Sequence, residues 1–379
     1  MKNRLGMLLA VIVMLFSLTG CGSNTTPAAN TQSSSLTDSQ TKADAQAVPF
    51  TVTDMGGRSV TFEKPVKKAY AANLIGILSI RSLDITLLGG WTNALSEDEK
   101  KFIPEQYWKL PMLGGWSSAN PTANIEELVK ANIDVIFVPA IVNPKIVDMA
   151  NNIQSKTGIP TVIVSNDLNK LGEAYELMGK VLDRKDRAAI LGKYCTDELA
   201  KTKELIAKIP ENKRVTFYYA EGDQGLETDP SGSMHTQAFE FVNAINVAKI
   251  AENTANGLTG QSVVSLEQVL KWNPQFIIRN STYTAADPTK SVAALQNNPD
   301  WAGIDAVKNK KVYQTPGLPN NWIDRGPSVN RVLGVKWLAN LFYPDYVKLD
   351  IRSEAKKYFS LFYNIDLTDQ QLNYILAGS

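Results

Sequence analysis

Residues 166–208 read NDLNKLGEAYELMGKVLDRKDRAAILGKYCTDELAKTKELIAK, and the fold turns on them. Leu168, Leu171, Tyr175, Met178, Val181 and Leu182 recur at spacings of three and four, with charged residues between them. That is the helical period. Asp167 or Asn169 caps the start, and Pro210 stands just past the end, where a helix cannot continue. Gly172, Gly179 and Gly192 weaken the pattern, so the run holds one or two helices, with a break near Asp183. On each side lies a segment of similar size that alternates apolar strands with helices.

Before the spine, residues 50–65 form two alternating runs around Met55-Gly56-Gly57-Arg58, a hairpin signal. Residues 66–72 read as a first core strand, 74–85 as helix, and 109–116 as a strand running into a loop. Residues 124–132 (NIEELVKAN) are a short helix capped by Asn124. Residues 134–139 (DVIFVP) are a continuous apolar run, as expected of a parallel strand buried on both faces. Residues 146–157 read as helix and 160–165 as strand. After the spine come a strand (214–220), a glycine-rich loop (221–233), a helix (234–247), a short helix (265–271) and a strand (274–279). A helix (291–297), a strand (311–316) and two amphipathic helices (327–342 and 351–363) complete the chain. Residues 124–138 (NIEELVKANIDVIFV) and 265–278 (SLEQVLKWNPQFII) repeat one pattern of short helix, then buried strand. The expected fold is α/β, with two Rossmann-like lobes (residues 49–166 and 209–330) built on mostly parallel sheets. One long backbone helix (167–208) joins them, a ligand cleft lies between them, and C-terminal helices follow (331–379).

The N-terminus has a charged start, Lys2 and Arg4, then the apolar run LLAVIVMLF over residues 8–16, too short to span a membrane. Leu18-Thr19-Gly20-Cys21 resembles a bacterial lipobox. Residues 1–20 are therefore expected to be a signal peptide, with Cys21 lipidated and the chain extracytoplasmic on a cell membrane. Residues 21–48, rich in Ser, Thr, Ala and Gln, form a tether. Cys195 has no other thiol to pair with and reads as a small apolar group on the spine. The chain has 39 basic and 38 acidic residues; without Lys2 and Arg4 it has 37 against 38. No basic stripe offers a nucleic-acid partner.

Four stretches in this order resemble the helical-backbone solute-binding proteins of ABC importers, the group that serves ferric siderophores, haem and cobalamin. They are residues 111–138, the spine, residues 225–247 (GLETDPSGSMHTQAFEFVNAINV) and residues 322–344 (WIDRGPSVNRVLGVKWLANLFYP). The sequence departs from that pattern at Ala131-Asn132, at Gln237 where Glu is frequent, and at Asn243-Ala244. The resemblance implies a monomer that carries a small-molecule metal chelate to a permease dimer with its ATPase subunits. One surface carboxylate per lobe, Glu126 and Glu267, would dock on that permease.

Ligands of doubly wound sheets sit beyond the carboxyl ends of the strands. The loops there supply Tyr70, Asn73, Trp116, Glu221, Glu227, His235, Tyr283, Trp322, Asp324 and Arg325. Aromatic residues suit a flat ligand, and Arg325 suits a carboxylate or an anionic chelate. His235 is the only histidine, which argues against a bare zinc or manganese site; any metal it ligates would arrive inside a chelate. No intrinsic cofactor is expected. The foremost ligand is a ferric siderophore, with corrinoid or haem as alternatives. A second reading is an oxyanion, molybdate or tungstate, held by Arg325 and the helix start at Ser233. A third is a secreted enzyme using Glu221 and Glu227, disfavoured because the chain lacks a Gly-x-Ser-x-Gly elbow and a phosphate loop.

Overall fold

Two short helices that lead into buried strands, one in each half of the chain, set the architecture. The computed structural model describes residues 48–116, 121–250, 261–280 and 288–379. The leader, Cys21 and nearly all of the tether lie outside the described residues, as does Tyr283. In the first half, β1 (Phe50–Thr53) and β2 (Ser59–Phe62) form the expected antiparallel hairpin. They are followed by β3 (Ala69–Ala71), α1 (Leu74–Asp84), α2 (Glu97–Lys100), α3 (Ile125–Lys130), β4 (Val135–Ala140), α4 (Pro144–Thr157) and β5 (Thr161–Ser165). Strands β3, β4 and β5 make a parallel sheet in that order. All of β5 and nearly all of β4 are buried, which is why both read as unbroken apolar runs. Residues 109–116 are not a strand: only Met112 pairs, in an isolated bridge to Trp91.

The quoted stretch holds two helices, α5 (Leu171–Leu182) and α6 (Lys185–Ile206), broken at Asp183 in the left-handed conformation (φ 52°). Asp167 caps the short turn before α5. The glycines that weakened the helical pattern lie where the two helices touch. A Cβ on Gly179 would come within 2.2 Å of the Ala188 Cβ, and one on Gly192 within 3.0 Å of the Gly172 carbonyl oxygen. Gly192→Leu is therefore expected to destabilise the chain by about 2–3 kcal/mol through overpacking, measured as a lower urea midpoint at constant m-value. Cys195 is buried at this junction, where burial pushes its thiol pKa up.

In the second half come β6 (Thr216–Ala220), β7 (Glu227–Thr228), α7 (Gln237–Phe241), β8 (Ile245–Asn246), β9 (Ser262–Val263), α8 (Leu266–Trp272), β10 (Phe276–Arg279), α9 (Pro288–Gln296), α10 (Asp305–Lys308) and β11 (Val312–Gln314). The parallel sheet runs β11-β10-β6-β8. The helix expected over residues 234–247 is only the short α7. Asn243 turns left-handed (φ 58°), and the chain leaves as β8 on the edge of the sheet. Finally α11 (Arg331–Phe342) and α12 (Ile351–Tyr363) follow, then a short α13 (Asp369–Ile375) not anticipated from the sequence.

The internal repeat is exact in register at the level of conformation. Asn124 caps α3 and Ser265 caps α8, each accepting from the backbone N–H three residues on. Leu128 and Val269 are buried; Asn132 and Asn273 are both left-handed; Val135 and Phe276 each begin the following strand. One apolar core runs from β3–β5 through α5 and α6 to α11 and α12, and reaches Phe217, Tyr219 and Phe239 on one face of the second sheet. A smaller cluster around Tyr218, Ile277 and Trp301 covers the other face.

Candidate functional site

The carboxyl ends of β6, β10 and β11 converge on a cluster of charges. Glu221 directly follows β6, and its backbone pairs with that of Glu227 (2.7 and 3.2 Å). Asp229 follows β7, His235 lies in the turn before α7, and Asp324-Arg325 lies in the loop after β11. Asn321 shapes that loop: its Oδ1 accepts from the Ile323 and Asp324 N–H groups (2.8 and 3.1 Å). Its Nδ2 donates to Thr315 Oγ1 (3.0 Å) and to Asn280 Oδ1 (2.9 Å). Arg325 then adopts φ +52°, a left-handed backbone that an arginine rarely takes without such support.

Arg325 donates through Nε to Glu221 Oε1 (2.9 Å) and through Nη2 to Asp229 Oδ2 (2.7 Å) and to Glu221. Its Nε also lies 3.3 Å from Asp324 Oδ2. Asn280 Nδ2 donates to Glu221 Oε1 (2.9 Å), and His235 Nδ1 is hydrogen-bonded to Asp324. Glu221, Asp229 and Asp324 are fully buried; the Arg325 and His235 side chains are 23% and 13% exposed.

Three carboxyl groups thus face one guanidinium and one imidazole, and the charges balance if one carboxyl keeps its proton. That proton belongs to the adjoining Glu221–Asp229 pair. Burial first, and the adjacent Asp229 second, push the Glu221 pKa up to about 9 against the pull of Arg325. The buried Oε2 of Glu221 has no hydrogen-bond partner among the described residues. Burial would also raise Asp324, but His235 and Arg325 hold it below the usual range. Burial would lower His235, and Asp324 outweighs it, so the ring's pKa is raised. Arg325 is likewise held above its ordinary value by its carboxylates despite burial.

The folded values of Glu221 and His235 both exceed the unfolded ones, so the native chain binds these protons more tightly. Their contributions are complete below about pH 4.5 and 6.5 respectively, and are lost as pH rises through the raised values. Stability is expected to fall between pH 5 and 9, and Glu221→Gln to flatten most of that slope in urea titrations.

Ligand atoms of Asp229, His235 and Asp324 lie within 4.8 Å of one another, close enough to share a metal ion. Arg325 is paired with the same two carboxylates, and a guanidinium competes directly with a cation for them. Arg325 therefore stands where a bare metal would have to bind.

Several expected residues go elsewhere. Tyr70 is fully buried, its hydroxyl donating to the Trp91 (3.2 Å) and Gly114 carbonyls, so it ties loops beneath the first sheet. Trp322 is buried against Phe359, and neither aromatic offers a ligand surface. Asn73 caps α1 and donates to the Pro139 carbonyl (2.9 Å), joining the ends of β3 and β4. Trp116 is half-buried at the end of β3, its N–H on the Ala72 carbonyl (2.8 Å). The side chain of Glu227 covers Gly222, not Glu221. Glu126 and Glu267 are exposed on α3 and α8. Asp229, Asn280 and Asn321 were missed: loop acids and amides have no period, and only their place beyond strand ends marks them. Gln237, at the departure from the family pattern, joins the halves. It accepts from Arg331 (2.7 Å) and the Leu168 N–H (3.3 Å), and donates to Asp167 (3.2 Å).

A family model described as periplasmic binding protein matches residues 87–318. A molybdate-binding protein of Haemophilus influenzae is 27% identical over 339 residues, 82% of this chain and 90% of that protein. An ABC transporter substrate-binding lipoprotein of Bacillus subtilis is 23% identical over 92% of this chain and all of that one. Among solved structures, an ABC transporter solute binding protein from Sulfurospirillum deleyianum superposes with a TM-score of 0.77 at 28% identity, covering 86% of this chain and 98% of that one.

Proposed function

We infer the function from the premise that this chain belongs to the periplasmic binding protein family. It is a substrate-binding protein of an ABC transporter, with an extracytoplasmic place of work and a permease with ATPase subunits as partner. Cys21 is its lipid anchor, as for the Bacillus lipoprotein, and the chain acts as a monomer that binds without turnover. Glu126 and Glu267 are its docking carboxylates.

Its ligand is a compact metal-containing anion, foremost a tetrahedral oxyanion such as molybdate or tungstate. The observation that carries this reading is that Arg325 and His235 are held in one largely buried cluster, by Glu221 and Asp324 respectively, beside Asn280 and Asn321. Arg325 and His235 are the cations a small dianion would draw on, in competition with the carboxylates of Asp229 and Asp324 that hold them. The likeness to the Haemophilus molybdate-binding protein adds weight. Corrinoid and haem lose support because Tyr70 and Trp322 lie in the core. A ferric siderophore stands second, favoured by half-buried Trp116 at the end of β3.

The test is thermal unfolding and calorimetry with molybdate, tungstate, sulfate, ferric catecholate, ferric hydroxamate, cobalamin and haem. Molybdate at a hundred times its dissociation constant should stabilise by about 2.7 kcal/mol, roughly 4 °C for a chain of this size. His235→Ala should abolish that shift, and Trp116→Ala should leave it. A shift with a ferric chelate alone, lost in Trp116→Ala, would replace the oxyanion by the siderophore.

A further inference from the structure

The repeat that links α3–β4 to α8–β10 runs without a gap from Asn124/Ser265 to Val135/Phe276. Most of its matched positions have an internal reason: caps, buried Leu128 and Val269, left-handed Asn132 and Asn273. Two matched positions have no partner among the described residues, only the preference of a helix's first turn for an acid. Glu126 and Glu267 are exposed and, among the described residues, carry no ion pair. Neighbouring helix carboxylates do: Glu97 pairs with Lys100, Glu127 with Lys130 and Glu176 with Lys180. One turn later stand Val129 and Leu270, 53% and 38% exposed. Residues three apart share a helix face, so each half presents one free carboxylate beside one bare aliphatic side chain.

We propose that Val129 and Leu270 are apolar anchors that seat the two halves on a membrane permease dimer; this rests on the docking role read above for Glu126 and Glu267. A chain that offers the same acid-plus-aliphatic pair once in each half is complementary to a partner that offers its own patch twice, as a two-fold dimer does. Each patch on that partner holds a cation for the carboxylate and an apolar recess for the aliphatic side chain. The carboxylates steer and orient, and the desolvated aliphatic groups set the dissociation rate.

The experiment reconstitutes the permease–ATPase complex in liposomes and measures the concentration of binding protein that half-maximally stimulates ATP hydrolysis. Val129→Asn combined with Leu270→Asn should raise that concentration about tenfold. Ile190→Asn, an equally bare aliphatic position on α6 outside the repeat, should leave it unchanged. All variants should keep the parent melting temperature. If Glu126→Ala with Glu267→Ala raises the concentration but the Val129/Leu270 pair does not, the anchors are refuted and the docking carboxylates stand. If neither pair matters, the docking reading falls too. An equal effect from Ile190→Asn would also overturn the anchors.

Discussion

Arg325→Ala should destabilise the chain by about 3–5 kcal/mol and abolish ligand binding. Removing the guanidinium leaves buried Glu221, Asp229 and Asp324 facing His235 alone. Deleting one partner of a buried charge group is far more damaging than never having built the group, because the remaining charge stays desolvated. The sign of the pH response separates this cause from lost packing. An orphaned carboxylate can take a proton, so the variant should recover part of its stability between pH 7 and 5, and Asp229→Asn in the same chain should recover part of it at pH 7. Urea titrations of the single and double variants decide the matter. A loss of less than 1 kcal/mol for Arg325→Ala would mean that the cluster is solvated in solution.

The second large effect lies away from the cluster. Lys336 sits in the middle of α11, a helix buried nearly all round, and its ammonium is held between Glu198 of α6 and Glu354 of α12. Glu198 is pulled down to about 2: burial opposes the shift, and hydrogen bonds from Lys201 and Lys336 overcome it. A depressed carboxylate contributes stability above its unfolded value of about 4.5, and loses it as pH falls toward 2. Lys336→Ala should therefore cost about 3–5 kcal/mol at pH 7, with most of the difference from the parent gone near pH 3. Replacing the group as a whole, Lys336→Met with Glu198→Leu and Glu354→Leu, should be close to neutral at pH 7. A triple variant as unstable as Lys336→Ala would show that shape, not charge, sets the loss.

The sequence made the repeats, the buried strands and the break at Asp183 readable, because each is a local pattern that tertiary contacts reinforce. β4 is apolar throughout since helices cover both its faces, and Asn124 caps α3 with its own side chain. Where tertiary contacts decide, local pattern misleads. Residues 234–247 carry helical spacing at Phe239 and Val242, yet Asn243 turns left-handed and hands the chain to a sheet edge. Tyr70 is the middle residue of β3, which is buried throughout, and Trp322 lies in a loop buried on every side, so both rings pack into the core. Arg325 and His235 were legible as chemistry; Asp229 and Asn321, which fix their charge and geometry, were not, since a loop acid or amide announces itself only through its partners.

The unbroken apolar core that runs from the first sheet through the spine to Phe217, Tyr219 and Phe239 also limits how this chain can be re-engineered. Specificity in two-lobed receptors invites chimeras, in which one half is exchanged for that of a relative with another cargo. Here a crossover near residue 208 would cut through α6–α11 packing and part Arg331 from Asn166, so each parental half would meet a foreign surface where it needs a fitted one. New cargo is better sought by grafting the 221–235 and 320–325 loops together onto an intact frame, since Glu221, Asp229, Asp324 and Arg325 have meaning only as a set.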